Sequence, residues 1–116
     1  MNKSRVGAAG EAAARDYLVG IGAWIVASNV RIANAEIDIV ARLGDLTAFV
    51  EVKARRNARF GRPAEAVTSA KRRRIVRAAR AYAAQNGLSD SPMRFDVIEI
   101  LPGEINHIPG AFDANE

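Results

Sequence analysis

The chain has 116 residues, of which 49% are hydrophobic and 26% are charged. This balance excludes a fibrous or disordered chain, and we expect one domain spanning residues 1–116. The lack of cysteine excludes a disulfide framework, a zinc ribbon and a thiol nucleophile, and it fits a cytoplasmic protein. No apolar run approaches the roughly 20 residues that a membrane helix needs, so we expect no membrane association.

Positive charge is concentrated in one part of the chain, although the formal net charge is only +4. Residues 53–80 contain eleven of the 17 lysines and arginines but only one acid, which gives this segment a net charge of +10. The rest of the chain has a net charge of −6. Such a distribution is typical of proteins that bind the phosphate backbone of nucleic acids. Nine of the eleven bases are arginines, which suit bidentate phosphate contacts, so we favour nucleic acid over a merely solvated basic helix face.

In chain order, the sequence predicts a helix, three strands, a second helix and one or two further strands. Alanine-rich sequence followed by glycines indicates the first helix, and β-branched and aromatic residues indicate the strands. The predicted bounds are residues 5–19, 24–31, 35–42, 46–54, 64–85, 94–101 and 105–108, with a basic loop at 55–63. This order predicts the α/β class, with helices packed on a mixed sheet.

The second and third predicted strands form a hairpin. A two-residue turn at Gly44-Asp45, with glycine first as a type II′ turn prefers, fixes the register. That register places Asp38 opposite Glu51 on one face, and puts Ile37 and Ile39 together on an apolar face that must belong to the core.

Two carboxylates opposite each other repel unless a cation lies between them. Asp38 and Glu51 are therefore candidate ligands for Mg²⁺ or Mn²⁺, which prefer carboxylate oxygens. Lys53 lies on the same face, where it could orient water or stabilise charge on a phosphate. The alternative is a solvated polar face on which Glu36 and Lys53 form an ordinary ion pair.

An apolar stripe on the second predicted helix includes one lysine. The stripe consists of Val67, Lys71, Ile75, Ala78 and Tyr82. A lysine on the packed side of a helix needs an anion, so Lys71 would reach a site carboxylate or a bound phosphate. The alternative is that its stem extends to the rim and leaves the ammonium in water.

Four other residues are interpreted individually. Glu11, taken alone, is an ordinary surface glutamate in the middle of the first helix. His107, the only histidine, is interpreted as a structural or surface residue. Tyr17 and Trp24 are predicted to lie in the core.

Asp38 with Glu51-Val52-Lys53 resembles the D…(D/E)-x-K signature of restriction-endonuclease-like nucleases. Further motifs extend this resemblance from about Val6 to Phe112. These are Gly10-Glu11, Tyr17-Leu18, Gly22, Asn29-x-Arg31, Glu36-Ile37-Asp38, Phe49 to Lys53-x-Arg55, Phe60-Gly61-x-Pro63, Glu65-Ala66-Val67, Lys71, Arg74-Ile75, Tyr82 and Arg94 to Val97. Together they resemble the bacterial YraN family (uncharacterised protein family 0102).

The resemblance implies a restriction-endonuclease-like α/β/α sandwich with a mixed sheet of about five strands, because that family is similar in motif order to archaeal Holliday junction resolvases. It implies that Glu11, Asp38, Glu51 and Lys53 are catalytic, with Asp38 and Glu51 binding Mg²⁺ or Mn²⁺. Ala35 stands where the family usually has glycine, which leaves the carboxylates intact.

The implied activity is metal-dependent, structure-selective cleavage of DNA, with branched or single-stranded DNA as the partner and, by analogy, a homodimer. Backbone contacts are assigned to Arg55, Arg56, Arg59, Arg62, Lys71, Arg73, Arg74 and Arg77. One alternative is a non-catalytic nucleic-acid-binding module of the same fold in a repair or recombination assembly. Another is a small interaction protein whose basic face binds an acidic partner. The carboxylates favour the enzyme, because acids in a pure binder would repel phosphate.

Overall fold

A computed structural model of the chain describes residues 5–55 and 67–114. It contains the helices and strands in the predicted order. The elements are α1 (Arg5–Gly20), β1 (Trp24–Ile32), β2 (Ala35–Leu43), β3 (Leu46–Ala54), α2 (Ser69–Gln85), β4 (Met93–Leu101) and β5 (Glu104–Phe112).

The five strands form one mixed sheet in the order β1-β2-β3-β4-β5. The β1–β2, β2–β3 and β4–β5 pairs are antiparallel, and the β3–β4 pair is parallel. A parallel pair needs a crossover, and the segment containing α2 makes it. As a result, the carboxyl ends of β3 and β4 lie at the same edge of the sheet.

A helix covers each face of the sheet. The cluster beneath α1 includes Ala14, Leu18, Ala23, Ile39, Ala41, Ala48, Val50 and Ile98. The cluster beneath α2 includes Ile37, Val40, Phe49, Val67, Ile75, Val76, Ala78, Ala79, Tyr82, Phe95, Val97 and Phe112. The predicted α/β/α sandwich with a mixed five-stranded sheet is confirmed.

Helix α2 begins at Ser69, later than the predicted start at residue 64. Thr68 is its N-cap, with an extended backbone (φ −64°, ψ 160°), and its hydroxyl accepts a hydrogen bond from the Lys71 amide at 3.2 Å. This bond satisfies one of the amides that a helix start leaves without a partner. Val67 and Thr68 are therefore not helical, and residues 64–66 lie outside the described part of the chain.

Strand β5 is longer than the predicted 105–108. It pairs with β4 from Leu101–Glu104 to Phe95–Phe112, with an irregularity near the far end. Pro109 weakens the strand signal in the sequence, but β5 is an edge strand, where proline is tolerated.

The β1–β2 and β2–β3 hairpins, like β4–β5, each turn through two residues. In the β2–β3 turn only Gly44 has a positive φ, 64°, which matches the predicted type II′ turn. In the β1–β2 turn both Ala33 (φ 52°) and Asn34 (φ 61°) are left-handed, the pattern of a type I′ turn. Neither helix in the described ranges is long and apolar enough to cross a membrane.

Candidate active site

Asn29 of β1 lies opposite Asp38 of β2, between two ladder pairs of the same register. Ser28 pairs with Ile39 on one side of this point and Val30 pairs with Ile37 on the other. Asn29 has a left-handed backbone, with φ 54°, which is incompatible with a regular strand. The backbone of β1 is thus distorted opposite Asp38, the carboxylate that the sequence predicts to be catalytic.

Strand β2 does not keep a regular alternation of faces around Asp38. Residues three apart in a regular strand point to opposite faces. Ile37 and Val40 nevertheless both pack in the cluster beneath α2, whereas Ile39 packs beneath α1. The prediction that Ile37 and Ile39 share a face is therefore wrong, because the strand does not keep its alternation through Asp38.

Asp38 is buried and lies where β2 and β3 stop pairing. The predicted register is confirmed from Leu43–Leu46 to Ile39–Val50, but the ladder does not continue to Asp38 and Glu51. Asp38 Oδ2 instead accepts a hydrogen bond from the Val52 amide at 2.8 Å. The predicted cross-strand pairing of the two acids is thus replaced by a bond from the β3 backbone to the Asp38 carboxylate.

Glu51 is buried and forms an ion pair with α2. Lys71 Nζ, from the first turn of that helix, lies 2.6 Å from Glu51 Oε1. Desolvation by burial and repulsion from Asp38 raise the pKa of Glu51, while the Lys71 ammonium opposes them. Asp38 Oδ2 lies near Glu51, because it is bonded to the amide of the next residue, Val52. Of the two alternatives left open for Lys71, contact with a site carboxylate is the one that the structure has.

Lys53 belongs to the same electrostatic group. Desolvation by burial and the neighbouring Lys71 ammonium lower the pKa of Lys53, against the attraction of Glu51 and Asp38. Burial would also lower the pKa of Lys71, but its hydrogen bond to Glu51 and the Glu51 charge raise it overall. We call Asp38, Glu51, Lys53 and Lys71 the acid–lysine cluster.

Glu11 is buried on α1 rather than lying on the surface, so its interpretation as an ordinary surface glutamate is wrong. The preceding Gly10 lies against the end of β3, because a Cβ added there would be 3.2 Å from the Ala54 Cβ. This close approach places Glu11 near the carboxyl end of β3.

The carboxylates fit an incomplete metal-binding site. Within residues 5–55 and 67–114, no three His, Cys, Asp or Glu side chains are arranged to hold a metal ion. Asp38 and Glu51 supply two hard oxygen ligands. Mg²⁺ is usually held by one or two carboxylates together with water and substrate phosphate, so this pair suits it.

The predicted backbone-binding residues fall into three groups. Arg73, Arg74 and Arg77 are exposed on α2, and Arg73 and Arg77 line a surface cavity of about 400 Å³ together with Arg80. Lys71 lies in the acid–lysine cluster and Arg55 at the end of β3. The remaining three lie outside the described residues: Arg56, Arg59 and Arg62.

Glu99 is a buried acid that the sequence analysis did not single out. It lies beside Lys53 in the parallel β3–β4 ladder and is 1% exposed. Arg55 Nε lies 3.2 Å from Glu99 Oε2, and Asn106 donates to Oε1 at 3.3 Å. The feature of the sequence that could have predicted this buried acid is the position of Glu99 inside the otherwise apolar run 97–101. Its partner Arg55 is therefore anchored to the sheet beside the acid–lysine cluster.

A second buried network lies on the opposite face. Asp96 accepts two hydrogen bonds from Arg94, each 2.8 Å, and contacts His107 Nε2 at 2.8 Å. His107 Nδ1 lies 3.1 Å from the Tyr17 hydroxyl of α1. The interpretation of His107 as structural is supported. Trp24 is 58% exposed at the start of edge strand β1, so its prediction as a core residue is wrong.

Comparison with known proteins assigns the chain to a family. The model of Uncharacterised protein family UPF0102 matches residues 10–100, which include Glu11 and all of the acid–lysine cluster. A UPF0102 protein of Symbiobacterium thermophilum is 52% identical over 99 residues, covering 85% of this chain and 84% of the relative. One from Clostridioides difficile is 46% identical over 114 residues, covering 97% and 100%. One from Nocardia farcinica is 44% identical over 116 residues, covering 96% and 91%. The chain belongs to UPF0102, the YraN family.

Proposed function

We propose that this protein is a metal-dependent, structure-selective DNA endonuclease that hydrolyses phosphodiester bonds as Holliday junction resolvases do. The supporting observation is the acid–lysine cluster, in which buried Asp38 and Glu51 repel each other beside two lysines. Burying two interacting carboxylates costs stability, and a buried acid with a raised pKa, as Glu51 has, is typical of functional sites.

Each charged side chain has a role in this proposal. Asp38 and Glu51 hold Mg²⁺ or Mn²⁺. A bound ion of this kind supplies a Lewis acid that activates water and neutralises charge on the phosphate. Lys53 donates a hydrogen bond to the attacking water or to a phosphate oxygen. Glu11 acts from α1 near the end of β3, outside the pair of metal ligands, because the described residues contain no group of three such side chains placed to hold one ion.

The substrate class follows from the basic residues. Exposed Arg73, Arg74 and Arg77 lie on the helix that also carries Lys71, so a backbone bound along α2 leads to the acid–lysine cluster. Contacts to phosphate give affinity and position but carry no sequence information. We therefore propose branched or single-stranded DNA as the substrate, with a homodimer cutting two symmetric strands.

One observation favours a second candidate, a non-catalytic nucleic-acid-binding module of the same fold. Lys71 already neutralises Glu51 at 2.6 Å, and Arg55 faces Glu99 at 3.2 Å. Two of the acids are thus balanced by basic side chains without any metal, as a purely structural role would require.

The deciding experiment is calorimetric titration of Mn²⁺ into the wild type, Asp38→Asn and Glu51→Gln, followed by assay of four-way-junction DNA cleavage. We expect the wild type to bind Mn²⁺ and cleave, and both variants to lose binding and at least about 100-fold in rate, since even outer-sphere changes cost 10–100-fold. Asp90→Asn, an exposed acid remote in sequence from the site, is the matched control. Failure of the wild type to bind Mn²⁺, with or without DNA, would contradict the endonuclease proposal and favour the binding module.

A further inference from the structure

Lys71 contributes to the site from outside the strands that carry the acids. Its backbone amide donates to the Thr68 hydroxyl at 3.2 Å, which fixes its position in the first turn of α2. Its Nζ reaches across to Glu51 Oε1 at 2.6 Å. The Lys71 side chain is 34% exposed, whereas that of Glu51 is only 8% exposed. The backbone of Lys71 is therefore held in place while its ammonium has access to solvent.

The acid–lysine cluster combines two acids with two lysines. With Asp38 and Glu51 ionised and Lys53 and Lys71 protonated, its formal charge is zero. A divalent cation held by the two carboxylates would be repelled by both ammonium groups at short range. Lys71 is the lysine bonded directly to a proposed ligand oxygen, and its flexible four-carbon stem lets the ammonium swing away.

We propose that Lys71 is the resident counter-ion of Glu51, that it leaves this carboxylate when a divalent cation binds, and that its ammonium then binds a phosphate of the nucleic acid. The inference rests on the proposed function, because it requires Asp38 and Glu51 to bind a metal. It gives Lys71 a role distinct from that of Lys53, which stays on the strand beside the reacting phosphate.

Displacement of Lys71 couples the two ligands. Without nucleic acid, Lys71 opposes metal binding, because it must give up an ion pair with a buried carboxylate. With nucleic acid present, a phosphate binds the displaced Lys71 ammonium, so Lys71 opposes metal binding less strongly. Coupling of this kind is reciprocal, so metal binding strengthens nucleic-acid binding by the same factor. The protein would thereby load its metal mainly when substrate is present.

The test is calorimetric titration of Mn²⁺ into the full chain as wild type, Lys71→Met and Lys71→Gln. Each is titrated alone and with a phosphorothioate oligonucleotide that resists cleavage, and the heat of Mn²⁺ binding to the oligonucleotide is subtracted. Without oligonucleotide, we expect both variants to bind Mn²⁺ about tenfold more tightly than the wild type, as expected when a close competing charge is removed. The oligonucleotide should strengthen Mn²⁺ binding about tenfold in the wild type and much less in the variants.

Arg80→Met is the control for loss of one positive charge, because Arg80 is exposed on the same helix. Its Mn²⁺ affinity should stay within about twofold of the wild type, since an exposed charge beyond the Debye length is screened. If wild-type binding depends on Asp38 and Glu51 but neither Lys71 variant binds more tightly, the counter-ion role is wrong and the endonuclease proposal stands. If no protein binds Mn²⁺ under either condition, both are wrong.

Discussion

Asp96 shows how this sheet accommodates a buried carboxylate. It is 0% exposed, and its oxygens accept hydrogen bonds from Arg94 and the Gly110 amide. Desolvation by burial would raise the pKa of Asp96, but these bonds and the contact with His107 together lower it. An ionised carboxylate only accepts, so His107 Nε2 carries the proton and a neutral ring accepts from Tyr17 at Nδ1.

Replacing Asp96 by asparagine should destabilise the protein in a pH-dependent way. A carboxyl group with a lowered pKa stabilises the fold above its ordinary pKa of 3.8, and this contribution is lost as pH falls through the lowered value. At neutral pH, Asp96→Asn leaves the Arg94 guanidinium without its counter-charge, and we expect the free energy of unfolding to fall by about 3 kcal/mol. Urea unfolding followed by circular dichroism measures this.

The difference between the wild type and Asp96→Asn should shrink in acid, because the wild-type carboxyl is then also neutral. Asp90→Asn, at an exposed position, should change the free energy of unfolding by less than about 0.5 kcal/mol. A gap between wild type and Asp96→Asn that stays constant down to strongly acidic pH would contradict the assigned role.

At the residue scale, the sequence predicted part of the site and missed part. The D…(D/E)-x-K spacing pointed to Asp38, Glu51 and Lys53, and the helical stripe placed Lys71 on the side that meets Glu51. Glu99 was missed because period-two alternation shows which residues share a face, not whether that face is covered. Its burial depends on Arg55, which is distant in sequence, and on Asn106 across the β4–β5 hairpin.

At the scale of elements, α1 approaches β3 most tightly at Gly10. A Cβ at this position would lie 3.2 Å from the Ala54 Cβ and 3.8 Å from Ile100 Cγ1. The glycine thus allows the helix to lie close enough to the sheet to place Glu11 near the end of β3. Glycine is costly in a helix interior relative to alanine, which is consistent with a packing reason for it here.

Replacing Gly10 by valine should therefore separate α1 from the sheet. We expect Gly10→Val to lower the free energy of unfolding by about 1–3 kcal/mol, the usual cost of overpacking, measured by urea unfolding. Gly20→Val is the matched control, because a Cβ at Gly20 meets nothing within 4 Å. Equal effects of the two substitutions would show that helix propensity, rather than close packing on Ala54, determines the cost.

Element types could be predicted from the sequence better than element ends and distortions. Gly44 predicts the position of the β2–β3 turn, and this position determines the register of the hairpin near the turn. The distortion at Asn29 and Asp38 has no comparable local signal, because it depends on how β1, β2 and β3 pair. The start of α2 at Ser69 was available from Thr68, a residue type that favours the N-cap position.

At the scale of the whole molecule, basic charge lies next to the candidate site. Lys71 in the first turn of α2 contacts Glu51, and exposed arginines continue along the same helix. With a rise of about 1.5 Å per residue, Arg77 lies roughly 9 Å further along the axis than Lys71. A nucleic-acid backbone bound along this helix would therefore have a phosphodiester group within reach of the acid–lysine cluster.

Binding of single-stranded DNA should consequently depend steeply on salt, and α2 should contribute to that dependence. Each neutralised phosphate adds about 0.7 to the slope of log affinity against log salt concentration for single strands. Arg73→Ala combined with Arg77→Ala should thus weaken binding at low salt and reduce the slope by about 1.4, measured by fluorescence anisotropy over a salt series. The matched double change to lysine should retain the slope, because it preserves the charges. An unchanged slope in the double-alanine variant would move the binding surface away from the exposed face of α2.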